Sequence, residues 1–414
     1  MTETDIRPPR VILVGIDTGE FDANSSMDEL AELAKTAGAE VVAELIQKRP
    51  AVDNAAALGS GRLAELKELC EAEEADQIIF DLELTAVQVR NIERITDTHT
   101  IDRTTLILDI FAQRAATHEG RLQVELAQYK YRLPRLAGKG VQLSRLGGGI
   151  GTRGPGETKL ETDKRHIRNR IKVLENELSA IEKRRVLARK RRKKDDVLTC
   201  AIVGYTNAGK STLLNALTDA GVLAEDKLFA TLDTTSRKVI LPDDREVLMI
   251  DTVGLISRLP HELVKAFRST LEEAASADVL IHLCDVSDPE CKEKAEVTLG
   301  LLHDLGCDDI PTVTVFSKCD LAPEAFDAAG DDAVCICAKH GRGLDKLLEA
   351  VAKALPDDTI SGRFLFPYTE ASLLSRIRTL GRVASEEYTE DGICADLTVE
   401  RKYLHLLEKI PMLR

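Results

Sequence analysis

The chain has 414 residues, of which 43% are hydrophobic and 30% are charged, and this balance at this length predicts a globular protein of two to four domains. The sequence near Met1 is not a basic, apolar signal segment, and no apolar run reaches the roughly eighteen residues of a membrane span. A secreted or membrane-inserted protein is therefore not expected, and we predict a cytoplasmic protein, with peripheral membrane association left open.

The distribution of charge indicates what kind of partner the chain binds. The cysteines indicate whether disulfides or a zinc site are expected. The formal net charge is −14, yet the segment from Arg121 to Lys194 contains 22 Lys or Arg against 7 Asp or Glu. A basic segment inside an acidic chain is typical of a localised polyanion-binding element. The nine cysteines include no C-x-x-C pair, so we expect reduced thiols and neither a disulfide framework nor a zinc site.

Residues 1–103 alternate short apolar segments with amphipathic ones, which predicts a parallel α/β domain. The predicted strands are Val11–Gly15, Val41–Ile46 and Gln77–Phe80. The predicted helices are Ser26–Ala37 with Ser26 as its N-cap, Leu63–Glu73, and Thr85–Ile95 with Thr85 as its N-cap.

Residues 104–196 predict an antiparallel helical hairpin. A first helix is expected over Ala112–Tyr131, with Pro134 as the residue that ends it, and residues 133–156 form a glycine-rich basic loop at the tip. A second helix begins at Glu157, and its apolar residues recur at the spacing of a coiled coil. They are Leu160, Ile167, Ile171, Leu174, Leu178 and Ile181.

The run Lys183–Lys194 closes the second helix with nine Lys or Arg and no acidic residue. A solvated helix face is the usual role of such a run. Contact with phosphates is favoured here, because no interleaved carboxylates neutralise the charge.

Residues 197–356 predict a P-loop GTPase domain with a doubly wound sheet. An apolar strand before a glycine-rich turn, and a helix after it, is the context in which backbone N–H groups bind phosphate. The residues expected to do so are Gly204, Tyr205, Thr206, Asn207, Ala208, Gly209, Lys210 and Ser211. Lys210 is expected to reach the β- and γ-phosphates, and Ser211 is expected to bind Mg²⁺.

Two later segments are expected to respond to the γ-phosphate. The first is Phe229, Ala230, Thr231, Leu232 and Asp233, and the second is Asp251, Thr252, Val253 and Gly254, at the end of a strand. Thr231 is predicted to complete the Mg²⁺ coordination, with Thr234 and Thr235 as alternatives. The predicted catalytic residues are therefore Lys210, Thr231 and Gly254, and the predicted metal ligands are Ser211 and Thr231.

The base is expected to be selected by Ser317, Lys318, Cys319 and Asp320, which follow an apolar strand, together with Cys337, Ala338 and Lys339. A carboxylate at Asp320 can accept hydrogen bonds from guanine N1–H and from its exocyclic amine, which adenine does not offer in that arrangement. GTP is therefore the predicted substrate.

The sequence contains fewer of the residues expected for GTP hydrolysis than of those expected for GTP binding. Leu255 occupies the position of the glutamine that orients the attacking water in Ras-like enzymes, so our hypothesis is slow intrinsic turnover that a partner surface accelerates. Asn207 could help to bind K⁺ near the β- and γ-phosphates. An asparagine that only satisfies hydrogen bonds of its own loop is an equal alternative.

Residues 357–414 predict a small α+β domain with a helix near Glu370–Leu380 and two strands, and its sequence indicates no function. The expected fold class is thus α/β and multidomain, with a parallel α/β domain, a helical hairpin, a P-loop GTPase domain and a small C-terminal domain in that order.

Three longer motifs lie outside the phosphate-binding segments: Asp102–Ala115, Thr117–Ala127 and Ser144–Thr162. With these and the phosphate motifs at residues 204–211, 229–233 and 251–254, the chain resembles the HflX family of translation-factor-related GTPases over nearly its whole length. It departs from the usual family pattern at Thr234, where proline is common, and at Ser317 and Cys337, where GTPases commonly have asparagine and serine.

The resemblance implies binding to the large ribosomal subunit and its ribosomal RNA, with the N-terminal domain and the hairpin directed toward the peptidyl-transferase centre. It also implies that the GTP-bound form splits stalled or idle ribosomes under stress. Apart from the resemblance, we expect no DNA partner and no membrane insertion, and a monomer is expected because nothing in the sequence suggests an obligate dimer. Two alternatives stay open. One is a GTPase of ribosome assembly or RNA modification, and the other is an RNA-binding protein that uses nucleotide as a structural ligand.

Overall fold

The computed structural model of the protein describes residues 7–136, 155–194, 197–218, 228–229, 235–258, 273–322, 334–356, 359–400, 403–407 and 410–413. The chain forms two compact units, Met1–Ala354 and Leu355–Arg414. The expected multidomain α/β class is confirmed, whereas the finer division into four domains stays a prediction. Within the described residues no helix is long and apolar enough to cross a membrane, and all nine cysteines are free.

The first unit begins with a four-stranded parallel sheet in the order β2-β1-β3-β4. Its strands are β1 (Arg10–Asp17), β2 (Glu40–Lys48), β3 (Gln77–Phe80) and β4 (His99–Asp102). The connecting helices are α1 (Ala23–Thr36), α2 (Ser60–Ala72) and α3 (Ala86–Thr96). Because successive strand residues point to opposite faces, Leu13 joins one apolar core and Val14 joins the other. This burial on both faces is the pattern of a parallel sheet covered by helices.

Of the two helix caps predicted in this domain, the structure has one and places the other residue differently. Thr85 caps α3 in a capping box, as predicted. The predicted cap of α1, Ser26, lies instead inside the helix, and Asp22 caps it by accepting hydrogen bonds from the N–H groups of Asn24 and Ser25. Ser26 is buried and donates its hydroxyl to Asp81 Oδ2 at 2.5 Å.

The prediction of a single helix over Ala112–Tyr131 is wrong. Two helices cover this segment, α4 (Arg103–Arg114) and α5 (His118–Arg135). The break has a local cause, because the Thr117 side chain accepts a hydrogen bond from Gly120 N at 2.9 Å and so begins a new helix. Pro134 lies in the last turn of α5 and does not precede its end as expected.

Helix α5 packs against α6 (Pro155–Lys194) to form the predicted hairpin, and residues 137–154 of the expected loop lie outside the described residues. Leu174 of α6 is fully buried against Leu122 and Leu126. Ile171, Leu178 and Ile181 pack against the same cluster, as the coiled-coil spacing predicts.

The direction of the two helices follows from the ion pairs between them. Glu119 near the start of α5 pairs with Arg185 at 2.9 Å, and Lys130 near its end pairs with Glu175 at 2.8 Å. Later residues of one helix therefore meet earlier residues of the other, which makes the hairpin antiparallel.

A six-stranded sheet forms the rest of the first unit, in the order β10-β9-β8-β5-β7-β6, with only the β6–β7 pair antiparallel. The strands are β5 (Leu198–Gly204), β6 (Thr235–Ile240), β7 (Glu246–Asp251), β8 (Val279–Asp285), β9 (Thr312–Ser317) and β10 (Val334–Cys335). The helices described are α7 (Lys210–Thr218), α8 (Cys291–Asp304) and α9 (Leu344–Ala354). Strand β5 is central, so the segment after Gly204 begins at the carboxyl edge, where open α/β sheets bind ligands.

The second unit is a four-stranded antiparallel sheet in the order β12-β13-β11-β14, two strands more than predicted. Its strands are β11 (Thr359–Phe366), β12 (Gly381–Thr389), β13 (Gly392–Glu400) and β14 (Met412–Leu413). Helix α10 (Ala371–Leu380) buries Leu374 and Ile377 in a core with Phe366, and α11 covers Leu404–Leu407. An α+β arrangement was expected for this segment.

The hairpin generates a prediction about local stability. Replacing Leu174 by alanine removes the fully buried side chain at the centre of the α5–α6 contact. We expect local opening of the hairpin to become easier by about 2–5 kcal/mol, measured by native-state hydrogen exchange of α5 amides. The matched control is Val173→Ala, since Val173 is the preceding residue and is 45% exposed. Equal loss of protection in both variants would contradict the packing described.

Candidate functional site

The predicted phosphate loop lies between β5 and α7, and its backbone explains several of its residue types. A Cβ atom at Gly204 would lie 2.4 Å from the carbonyl oxygen of Leu283. Gly209 has a φ of +92°, and Asn207 has a φ of 62°, a left-handed conformation that asparagine tolerates better than most residues. Asn207 is exposed. Its conformation is a structural reason for this residue that requires no cation.

Lys210 is the buried cation of this loop. Its Nζ donates to the carbonyl oxygens of Gly204 at 3.1 Å and Tyr205 at 2.7 Å. Burial lowers the pKa of Lys210 to about 8, although the nearby carboxylate of Asp251 acts in the opposite direction. A phosphate anion in the loop would replace weak carbonyl acceptors by a full negative charge and so favour the charged lysine.

The predicted Mg²⁺ ligand Ser211 lies beside the carboxylate of Asp251. Ser211 Oγ donates to Asp251 Oδ2 at 2.6 Å, and Asp251 is fully buried at the end of β7. A hydroxyl and a carboxylate are hard oxygen ligands of the kind that Mg²⁺ prefers. These residues therefore fit the ion, while the other predicted ligand, Thr231, lies outside the described residues, as do Thr234 and the binding residues Ala230, Leu232 and Asp233.

The segment after β7 runs directly beside the phosphate loop. Thr206 N donates to Leu255 O at 2.7 Å, and Leu255 N donates to Gly204 O at 3.2 Å. A Cβ atom at Gly254 would lie 2.8 Å from the Thr206 side chain and 3.2 Å from Lys210 Nζ, so only glycine fits. Leu255 is 2% exposed. Thr252 is also buried and donates to Ile202 O at 2.7 Å.

The residues predicted to select the base meet at the ends of β9 and β10. Ser317 Oγ donates to Ala208 O at 2.8 Å and to Cys284 O at 3.1 Å, which ties this segment to the phosphate loop. The Cys337 thiol donates to Asp320 and holds the pKa of that carboxyl below its ordinary value. The serine and the cysteine at these two departures from the usual family pattern therefore both make hydrogen bonds at the predicted base site.

The other residues of this segment flank the carboxylate. Lys318 Nζ pairs with Asp285 Oδ2 at 2.8 Å, and the buried Cys319 donates its thiol to Phe316 O at 3.2 Å. Asp320 and Lys339 are exposed, and Ala338 is half-buried. Asp320 is thus the accessible acceptor in this set.

Sequence reasoning missed that the N-terminal domain contacts the phosphate loop. The Tyr205 hydroxyl donates to Glu29 of α1, and Ser257 Oγ donates to the same carboxylate at 2.8 Å. Ser257 N in turn donates to the Tyr205 hydroxyl oxygen at 2.7 Å. Burial and then Glu29 raise the pKa of Tyr205, so the phenol remains a donor. The phosphate loop and the segment after Gly254 are therefore both held by Glu29.

A second carboxylate extends this contact. Arg103 lies between Glu29 and Asp81 and donates to Asp81 Oδ1 at 2.9 Å. Arg258 donates to Asp81 Oδ2 at 2.7 Å. Burial opposes the charge of Arg103, but the carboxylates Glu29 and Asp81 outweigh it and raise the pKa of Arg103. Since the partners are up to 228 residues apart, no local pattern could have revealed this cluster.

Apolar residues complete the same interface. Phe229 is buried and meets Phe111 of α4 edge to face, with ring centroids 4.6 Å apart. Val253 and Ile256 belong to the apolar core that also contains Leu30 of α1. A cavity of about 430 Å³ lies beside this interface, lined by Tyr205, Thr206 and Asn207 of the phosphate loop and by acidic residues that include Glu32 and Asp288.

Comparisons with known proteins agree with the geometry. Three family profiles match the chain: GTP-binding GTPase N-terminal over residues 24–112, GTP-binding GTPase Middle Region over 114–192, and 50S ribosome-binding GTPase over 199–318. A relative from Caldanaerobacter subterraneus, named GTPase HflX, is 52% identical over 395 residues, covering 95% of this chain and 92% of that protein. GTPase HflX of Escherichia coli is 41% identical over 382 residues, covering 90% and 89%.

The buried lysine generates a prediction about pH. Phosphate binding raises the lowered pKa of Lys210, so binding above that pKa takes up a proton, and affinity must fall as pH rises. We expect the Kd of GDP to increase from about pH 8 to about pH 9, by at most about tenfold per unit. Titration calorimetry in buffers of different ionisation enthalpy measures the proton uptake directly.

The control is Lys238→Met, because Lys238 lies in the same sheet but is exposed and should leave the pH profile unchanged. A Kd that does not change between about pH 7 and about pH 9 would contradict the lowered pKa.

Proposed function

This chain belongs to the HflX family of GTPases, and we propose that it is a GTP-hydrolysing switch that binds the large ribosomal subunit and dissociates stalled or idle ribosomes under stress. The proposal is supported by the family profile named for 50S binding and by the basic hairpin. The exposed basic residues of α6 include Arg165, Arg168, Lys172, Lys183, Arg184 and Arg191. Ribosomal RNA is the polyanion proposed, since shape and phosphate contacts dominate recognition of structured RNA.

The observation that carries the proposal is the shared core of the two domains. Phe229 and Val253 come from the segments expected to respond to the γ-phosphate, and Ile256 follows the second of these segments. All three pack in one apolar core with α1 and α4. The same core contains Val124, Ala127 and Tyr131 of α5, the first helix of the hairpin. A movement of either segment therefore has to repack the core that supports the hairpin, which is how a nucleotide could change the affinity for RNA.

The residues of the phosphate site have separable roles in this switch. Lys210 binds the β- and γ-phosphates, and backbone N–H groups of residues 204–211 surround them. Ser211 and Thr231 would hold Mg²⁺, which supplies positive charge to the phosphates when it is bound. Gly254 allows its N–H to approach the γ-phosphate, because a side chain would collide with Thr206. The base is held by Asp320, next to Cys337 and Lys339.

Leu255 favours slow turnover by the free protein. Its side chain is buried, so it neither contacts nor orients a water at the γ-phosphate. We therefore propose that a ribosomal surface completes the catalytic site. The same observation also keeps one alternative open, an RNA-binding protein in which nucleotide is a structural ligand.

The test is GTP turnover by the full-length protein with and without purified large ribosomal subunits, at two salt concentrations. We expect strong stimulation that decreases with salt, because phosphate contacts release counterions. Intact binding to the subunit without stimulation would move the interpretation to the structural-ligand alternative.

A monovalent cation is a separate proposal about the same reaction. If Asn207 helps to bind K⁺ between the β- and γ-phosphates, the stimulated rate in K⁺ should exceed the rate in Na⁺ at equal ionic strength. Equal rates would leave only the structural role that its left-handed backbone already gives Asn207.

The contact between the domains predicts a coupling defect. Glu29→Gln removes the negative charge shared by Tyr205, Ser257 and Arg103, so ribosome-stimulated turnover relative to basal turnover should fall, by about tenfold if the lost coupling is near 1.4 kcal/mol. The matched control is Glu32→Gln, one turn further along α1, where the carboxylate is exposed and pairs only with Lys35 among the ion pairs described. An unchanged ratio in Glu29→Gln would contradict the proposed coupling.

A further inference from the structure

Three different metal-ligating side chains meet at the base-selecting segment. The carboxylate of Asp320, the thiol of Cys337 and the imidazole of His340 place their ligand atoms within 4.8 Å of one another. His340 Nε2 lies 3.9 Å from Asp320 Oδ2, and the thiol is hydrogen-bonded to Asp320. Asp320 and His340 are exposed, whereas Cys337 is buried beneath them.

The backbone fixes this arrangement. Cys337 directly precedes a 3₁₀ turn over Ala338–His340. His340 N donates to Cys337 O at 3.2 Å, which holds the two residues close together. Cys337 N donates to Arg342 O at 3.0 Å and Arg342 N donates back to Cys337 O at 3.1 Å, so the loop is closed at its base.

Asp320 is brought to this loop by the adjacent strand. Ile336 N donates to Phe316 O at 2.8 Å, and Cys319 N donates to Ile336 O at 3.3 Å. These bonds align the residues after β9 with the residues after β10. The sequence contains no C-x-x-C pair, and we therefore expected no zinc site, but the fold assembles the third ligand 17 residues before Cys337.

We propose that Asp320, Cys337 and His340 form a binding site for a soft divalent cation of the zinc type, and that this cation competes with the guanine base. Thiolate, imidazole and carboxylate are the ligands that Zn²⁺ takes in proteins, and three protein ligands leave one position for water. In a tetrahedral site such ligand atoms lie roughly 3.3–3.6 Å apart, given the usual bond lengths, so the cluster needs only a small contraction. The Cys337 proton leaves to solvent when the metal–sulfur bond forms.

Competition follows from the shared carboxylate. Asp320 is the group proposed to accept hydrogen bonds from guanine N1–H and from the exocyclic amine. A cation on this carboxylate removes an acceptor oxygen and places positive charge opposite those N–H donors, so both cannot be accommodated. Mg²⁺ does not compete, because it prefers hard oxygen ligands such as Ser211 and avoids thiols. A soft metal bound to these residues would therefore displace the nucleotide by blocking the position of the base.

The first test uses Co²⁺ as a spectroscopic substitute for Zn²⁺. Titration of nucleotide-free, full-length protein should produce a thiolate-to-cobalt charge-transfer band at one equivalent. The band should disappear in Cys337→Ser and persist in Cys291→Ser, which removes the most accessible of the other cysteines. No band, or a band that survives Cys337→Ser, would overturn the assignment.

The second test measures competition. One equivalent of Zn²⁺ should raise the apparent Kd of GDP at least about tenfold in the unmodified protein, in the presence of excess Mg²⁺. His340→Asn should bind GDP normally without Zn²⁺ and lose most of this effect. Zinc bound to the nucleotide phosphates would act equally on both proteins, so equal inhibition would refute the site. If His340→Asn fails to fold, His340→Gln replaces it with the same criterion.

Discussion

A cluster of four charges, of which Asp81 and Arg103 are buried, Glu29 is half-buried and Arg258 is exposed, holds the N-terminal domain against the phosphate loop. Glu29 and Asp81 carry two negative charges, Arg103 and Arg258 carry two positive charges, and Arg103 is 3% exposed. Taking such groups out of water is costly, and the interaction is favourable only when every charge is paired in good geometry. The cluster therefore specifies one relative placement of the domains more than it adds stability, because a displaced domain would leave unpaired charges buried.

The placement of the N-terminal domain by these ion pairs determines which parts of that domain contact the GTPase domain. Glu29 contacts Tyr205 in the phosphate loop and Ser257 in the segment after Gly254, so two elements that are expected to respond to phosphate share one carboxylate partner. Apolar contacts between Phe229 and Phe111 lead from there to the helices of the hairpin. Packed interiors change between discrete arrangements and do not deform smoothly, so a switch in this core can be all-or-none. In the proposed switch, the basic hairpin is the element that responds to the nucleotide site.

The base end of the predicted site offers different kinds of ligand atoms from the phosphate end. Lys210, Ser211 and Asp251 offer a buried cation and hard oxygens, which suit phosphates and Mg²⁺. Asp320, Cys337 and His340 offer a softer and more accessible set. One domain thus presents two chemically distinct ends to a nucleotide, and its sensitivity to metals need not be the same at both.

The sequence by itself determined the elements whose cause is local. The phosphate loop depends on a strand, a turn and a helix that are adjacent in the chain, and the Thr85 cap and the apolar spacing from Ile171 to Ile181 depend on neighbours within a few turns. The break between α4 and α5 was missed although its cause, the Thr117 cap, is also local, because helix propensity alone gives no reason to stop at Ala115. Only the tertiary structure decided the contacts of Glu29 with Tyr205 and Ser257, and of Asp320 with Cys337 and His340. Those contacts join segments that are distant in the chain, and hydrogen bonds and ion pairs across such distances leave no periodic pattern from which they could be predicted.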